Sequence, residues 1–145
     1  MKIALAAPGN GAQLKDAVKA ALDGDPRVSE VTDFSTPDGT YPVLSLEVAR
    51  AIAEGRADRG LLVCGTGIGT AIAANKVPGV RAATAHDLVS VRGAVENYDA
   101  QILCFGQNII AAPTAVALVN VWLDARHNPA SNYGTLLREL TDLTD

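Results

Sequence analysis

The chain has 145 residues, 48% of them hydrophobic and 4% aromatic, with a formal net charge of −4. This is the size of one domain around one core, and no run is long and apolar enough to span a membrane. An acidic chain with few rings excludes a nucleic-acid surface, and two cysteines (Cys64, Cys104) with two histidines (His86, His127) are too few for a disulfide framework or a zinc cluster.

Along the chain, short apolar or β-branched runs at 2–7, 28–34, 60–65, 80–85 and 101–106 read as strands. Helical patterns fill the gaps at 10–23, 42–56, 68–77, 87–96 and 113–125, and a last helix lies at 133–143. In the 42–56 helix Val43, Leu44, Leu46, Val48, Ala49, Ile52 and Ala53 favour one face. Pro42 suits its first turn and Gly55 weakens its end. Strict alternation with near-continuous apolar strands predicts an α/β fold, a three-layer α/β/α Rossmann-like domain over 1–145 with a five-stranded parallel sheet. The helix at 113–125 is apolar around much of its circumference, which suits either a subunit interface or a buried core position. No basic, apolar leader precedes the first strand, so a cytoplasmic location is expected.

Ligands of such folds sit beyond the carboxyl ends of the strands. The loops there are "APGNG" (7–11), "STPDGTYP" (35–42), "CGTGIGT" (64–70), "HD" (86–87) and "GQN" (106–108). In the third, Gly65, Gly67 and Gly69 let the backbone turn and approach a ligand closely. The amides that follow open a helix and favour an anion or oxyanion in front. Cys64 at the edge of that field is expected to favour thiolate, and Thr66 adds a hydroxyl. On these residues alone two readings stand. The loop stabilises an enediolate while Cys64 shuttles a proton, or Cys64 is a small apolar residue at a strand end. The spacing "GTGIG" differs from the dinucleotide-binding GxGxxG.

The string "CGTGIGTAIAANKVPGVRAATAHD" closely resembles the core of the ribose-5-phosphate isomerase B and galactose-6-phosphate isomerase family. The resemblance continues through "SVRGAVENYDAQILCFGQNII", includes "MKIAL" and "QLK", and weakens beyond about residue 110. It implies aldose–ketose isomerisation of a sugar phosphate through a cis-enediol without metal or cofactor. It also implies a homodimer or dimer of dimers with active sites at the subunit interface and the 133–143 helix on a partner. Cys64 matches the base that moves the proton between C1 and C2. Thr66 and the amides of Gly65, Gly67, Ile68, Gly69 and Thr70 match the enediolate-stabilising group. Some members place a glutamate at the position matching Thr70, a group this chain lacks. Tyr41 matches a tyrosine that lines the pocket.

The chain also departs from that pattern. Pro8 and Gly9 stand where the family has an Asp-His pair, leaving Asn10 as the polar side chain nearby. Asn97 and Tyr98 replace a His-Asn pair whose histidine opens the sugar ring, and Asn108 replaces a phosphate-contacting arginine. Ser131 and Thr135 stand where C-terminal arginines grip phosphate. Asparagine cannot transfer the proton that ring opening needs, so a substrate that is already open-chain is expected. A four-carbon sugar with phosphate on its fourth oxygen meets that condition, and Tyr98 would shorten the pocket to suit it. Asn10, Tyr41, Asn97, Tyr98 and Asn108 are therefore the expected substrate contacts, with Arg126, His127 and Ser131 as candidate anion contacts. Arg138 reads as solvent-facing charge, His86 and Cys104 as structural, Asp87 as a helix cap, and Asn75 with Lys76 as the end of the central helix. Two other functions stay open: isomerisation or epimerisation of an unphosphorylated hydroxycarbonyl compound, and a degenerate member that binds sugar without turnover.

Overall fold

In the computed structural model, which describes residues 1–144, the alternation of the sequence becomes an alternation of layers. The elements in chain order are β1 (Lys2–Ala6), a 3-10 turn (Gly9–Gly11), α1 (Ala12–Asp23), β2 (Glu30–Asp33), α2 (Tyr41–Ala53) and β3 (Arg59–Cys64). There follow α3 (Ile68–Ala74), β4 (Ala82–Thr84), α4 (Leu88–Glu96), β5 (Ile102–Gly106), α5 (Ala112–Asp124) and α6 (Asn132–Thr144). The five strands form one parallel sheet in the order β2-β1-β3-β5-β4.

Side chains alternate across this sheet and build a core on each face. Ile3, Leu5, Leu61, Val63, Leu103 and Phe105 point to one side, where Leu14, Val18 and Leu22 of α1 and Trp122 of α5 cover them. Ala4, Ala6, Leu62, Ile102 and Cys104 point to the other, beneath Leu44 and Val48 of α2 and Ala71 and Ala74 of α3. The expected three-layer α/β/α domain is therefore the observed one. Helix α5 resolves in favour of the core: Ala115, Leu118, Val119, Trp122 and Leu123 are all buried.

Three elements are shorter than the sequence pattern suggests. The runs at 28–34 and 80–85 reduce to Glu30–Asp33 and Ala82–Thr84. Both are edge strands with a single neighbour, so pairing lasts only where that neighbour's register offers a partner. Helix α3 stops at Ala74, ahead of the Pro78 that disfavours helix at its preceding residue. There the Asn75 carboxamide donates to the Ala82 carbonyl at 2.9 Å and accepts from the Ala82 amide at 2.8 Å.

The topology singles out one crevice. The chain leaves β3 for the face carrying α2 and α3, whereas it leaves β1 and β5 for the face carrying α1 and α5. The loop after Cys64 thus diverges from both neighbouring loops, opening a space at the carboxyl ends of the three central strands.

Candidate active site

Cys64 ends β3 with its side chain on the α3 side, and it is 7% exposed. The Gly67 amide donates to its Sγ at 3.2 Å, and the Thr70 hydroxyl lies 3.7 Å from the same sulfur. Gly67 adopts φ +78°, and a Cβ there would lie 3.0 Å from the Phe105 carbonyl carbon, so glycine is required on both counts. Burial pushes the thiol up, but hydrogen bonds from the Thr66, Gly67 and Thr70 amides and the Thr70 hydroxyl outweigh it. The net result holds Cys64 below the ordinary thiol range. Cys104, fully buried in the adjacent strand, is pushed up by desolvation to about 12 and stays a thiol.

Some of these donors are used differently from the sequence expectation. The Gly67 amide, expected to face a ligand, is aimed at the sulfur, as are the Thr66 and Thr70 amides. The Ile68 amide donates to Thr66 Oγ1 at 3.3 Å. The physical reason is the tightness of the turn, which folds the amides back over the strand end. Several side chains border the same space. Thr66 is exposed, and because its oxygen already accepts from Ile68 its own proton remains for a ligand. The Nδ2 atoms of Asn108 and Asn10 lie 3.2 and 3.3 Å from where a Cβ on Gly65 would sit. The Tyr41 ring lies 3.0–3.2 Å from the equivalent point on Gly69. The absence of side chains on these two glycines is what admits the two carboxamides and the ring.

Neighbouring loops are tied to the thiol loop by contacts that sequence reasoning missed. Gln107 N–H donates to the Cys64 carbonyl at 2.8 Å, and Asn108 N–H to the Gly65 carbonyl at 3.0 Å. Gln107 Oε1 also accepts from the Leu14 amide at 2.9 Å, joining the β5 loop to α1. The Gly106 amide donates to His86 Nε2 at 2.8 Å, and the His86 ring packs on Phe105 with centroids 5.9 Å apart. Burial holds His86 below the ordinary imidazole range, consistent with a neutral ring accepting at Nε2. His86 is thus structural, as expected, and Asp87 caps α4 by accepting from the Ser90 amide at 2.8 Å. Lys15 is buried in α1 and pairs with Asp33 at 2.7 Å beside the loop that holds Asn10. No local pattern marks that pair, since its members lie on different elements.

The remaining expected contacts do not join this cluster within one chain. Asn97 caps the carboxyl end of α4, and the Tyr98 carbonyl accepts from Arg81 Nε at 2.9 Å, just ahead of β4. Both therefore lie at the amino-terminal end of the sheet, about the length of a six-residue strand from Cys64, or ~17 Å. Tyr98 meets Tyr133 edge-to-face at 5.9 Å. His127 Nδ1 lies 2.8 Å from the Glu96 carbonyl oxygen, Arg126 donates to the Leu123 and Ala125 carbonyls, and Ser131 donates to the Asn128 carbonyl at 2.7 Å. Arg138 is exposed, as expected, but donates to the Pro129 carbonyl and the Thr135 hydroxyl, both at 3.1 Å. It lines a surface cleft of about 350 Å³ together with Arg81 and His127.

Against that geometry the likeness to known proteins is informative. The family model described as Ribose/Galactose Isomerase matches residues 3–136. The chain belongs to this family. A D-erythrulose-4-phosphate isomerase 2 from Mycolicibacterium smegmatis is 43% identical over 135 residues, covering 90% of this chain and 89% of the relative. The ribose-5-phosphate isomerase B of Escherichia coli is 34% identical, covering 87% and 85%. A solved structure of Clostridium thermocellum ribose-5-phosphate isomerase B superposes with a TM-score of 0.92 at 35% identity, covering 99% of this chain and 97% of that one. Relatives of this ribose/galactose isomerase family member thus act on sugar phosphates of different lengths, and no described helix is long and apolar enough to cross a membrane.

Proposed function

We propose that this chain interconverts an aldose and a ketose of a four-carbon sugar phosphate through a cis-enediolate, with Cys64 carrying the proton. The observation that carries the reading is the sulfur held at 3.2 Å by the Gly67 amide, next to the Asn10 and Asn108 carboxamides and the exposed Thr66 hydroxyl. Starting from the ketose, the thiolate removes a proton from C1. The C–H electrons form the C1=C2 double bond, and the carbonyl electrons move onto O2. Thr66 gives its hydroxyl proton to O2 and takes the proton of O1. The Cys64 S–H then returns its proton to C2, and O1 becomes the aldehyde oxygen. The two carboxamides stabilise the oxyanion, a role expected of the loop amides, among which that of Gly67 is instead aimed at the sulfur.

The length of the substrate follows from what the chain lacks. Asn97 stands in place of a ring-opening histidine, and a tetrulose 4-phosphate has no ring to open through its phosphorylated oxygen. The 43% identity to a protein named as an erythrulose-4-phosphate isomerase supports the same length. The phosphate is gripped by a second copy of the chain, whose Arg126, His127 and Arg138 sit at the opposite end of the sheet from its own thiol. Exposed Ile68, Ile72 and Val43 around the thiol loop, and Leu136 and Leu143 on α6, supply the apolar faces for that association. The same reading carries a reducing, cytoplasmic setting, in which neither cysteine is oxidised.

The test is turnover of erythrulose 4-phosphate against ribose 5-phosphate and an unphosphorylated tetrulose, followed by NMR in deuterated water. The expected result is a kcat/KM for the tetrulose phosphate at least ~100-fold above either alternative, with deuterium entering at the proton-transfer carbons. Preference for the pentose, or turnover independent of phosphate, overturns the assignment.

A further inference from the structure

The Gly67 carbonyl receives more donors than a helix start needs. Thr84 Oγ1, at the end of β4, donates to it at 2.8 Å, Thr70 Oγ1 donates to it at 3.1 Å, and the Ala71 amide approaches at 3.3 Å. Thr70 is 1% exposed, so water cannot supply its partners. Its hydroxyl also contacts the Cys104 thiol, which stays protonated and can donate to it, so its one proton is left with two acceptors, the Gly67 oxygen at 3.1 Å and the Cys64 sulfur at 3.7 Å. Were Thr70 the sole hydroxyl on that carbonyl, turning toward sulfur would leave a buried oxygen with only the longest of the three contacts. Such an acceptor resists losing its donor.

We propose that Thr84 is a positioning residue for Cys64: its hydroxyl satisfies the Gly67 carbonyl, so that the single Thr70 proton turns to the sulfur whenever Cys64 is a thiolate. When Cys64 has taken up a proton, S–H donates to Thr70 Oγ1 and the Thr70 proton returns to the Gly67 oxygen. The hydrogen-bond chain Cys64–Thr70–Gly67–Thr84 therefore reverses direction at its sulfur end once per proton transfer, while Thr84 stays fixed. Thr84 also orients the Gly67 residue whose amide donates to the sulfur at 3.2 Å. The titratable group facing this chain from the neighbouring strand is Cys104, whose register partner is Thr84 and which remains protonated. It does not compete for the charge.

This inference rests on Cys64 carrying the proton, yet it can be read without turnover. Thr84→Val removes the hydroxyl at nearly constant shape, and Thr84→Ser keeps it. The measurement is the pH dependence of Cys64 alkylation by iodoacetamide in the full chain, scored by mass spectrometry of the Cys64 peptide. Thr84→Val is expected to raise the midpoint by about 0.5–1 pH unit, and the acid limb of kcat/KM by the same amount. Thr84→Ser should restore both, and Thr70→Val should shift the midpoint at least as far as Thr84→Val. An unmoved midpoint in Thr84→Val alongside a shifted one in Thr70→Val overturns the role of Thr84. Equal shifts in Thr84→Val and Thr84→Ser also overturn it, because packing rather than the hydroxyl would then be responsible. If Thr84→Val does not fold, Thr84→Ala is read in the same assay against Thr84→Ser. Failure of the isomerase reading shows separately, as turnover that survives loss of Cys64 while the thiol titration still responds to Thr84.

Discussion

The two ends of the sheet are built on different principles. At the carboxyl end the sulfur, the glycine loop and the β5 loop are locked by hydrogen bonds within the chain, and Cys64 and Thr70 are 7% and 1% exposed. At the amino-terminal end Tyr98, Tyr133 and Arg138 are exposed, and their neighbours Arg126, His127 and Ser131 are tied mainly to main-chain carbonyls. One end is preorganised for a small reacting centre, where misplacement of an atom is costly. The other is an open surface around a cleft lined by Arg81, His127, Arg138 and Asp142. On the proposed reading, a single chain carries the parts of a reaction and of a grip, too far apart to serve one small molecule.

The largest expected effect breaks the carboxyl end alone. Cys64→Ala should lower kcat by ~10³-fold or more without loss of fold, since the proposed mechanism gives the proton to that sulfur. Steady-state turnover paired with circular dichroism checks this, and activity within tenfold of the parent would remove the sulfur from the mechanism. The next effect tests whether the ends cooperate between copies. Replacing Arg126, His127 and Arg138 together by alanine should reduce kcat/KM by about 100-fold, mostly through KM, because charge-assisted contacts to phosphate are lost. Mixing that variant with Cys64→Ala should restore about a quarter of the parent activity, since half the dimers formed by random exchange carry one intact site of two. No recovery on mixing, in copies shown to exchange, would mean that each site is complete within its own chain.

The same contrast explains what the sequence made legible. The layers, the placement of ligands beyond the strands' carboxyl ends and the glycine loop follow from periodicity and from residues adjacent in the chain, such as Cys64 through Thr70. The use of the loop amides did not, because a tight turn can point its N–H groups outward or back onto the strand end with the same residues. Thr84 and His86 carried no signal of contact with Gly67 and Gly106, since both contacts depend on how β4 sits against β5. Asn97 and Asn108 both read as substrate contacts, yet β5 runs between them and puts them at opposite ends of the sheet. Residue type suggested chemistry, and only topology assigned each residue to an end.

The smallest effect belongs to a feature that was legible. Asp87 follows the fourth strand and opens α4, accepting from the Ser90 amide at 2.8 Å and from the Ser90 hydroxyl at 2.6 Å. Asp87→Ala leaves that amide without its cap and should cost about 1 kcal/mol, a fall of roughly 3–5 °C in Tm. Because the carboxylate touches none of the groups around the sulfur, kcat and KM should stay within about twofold of the parent. A larger fall in kcat would mean that the seating of α4 is transmitted through His86 to the Gly106 amide and so to the loop carrying Asn108. The carboxyl end would then be held by the helix beyond β4 as well as by its own turn, and its rigidity would be a property of the whole sheet edge.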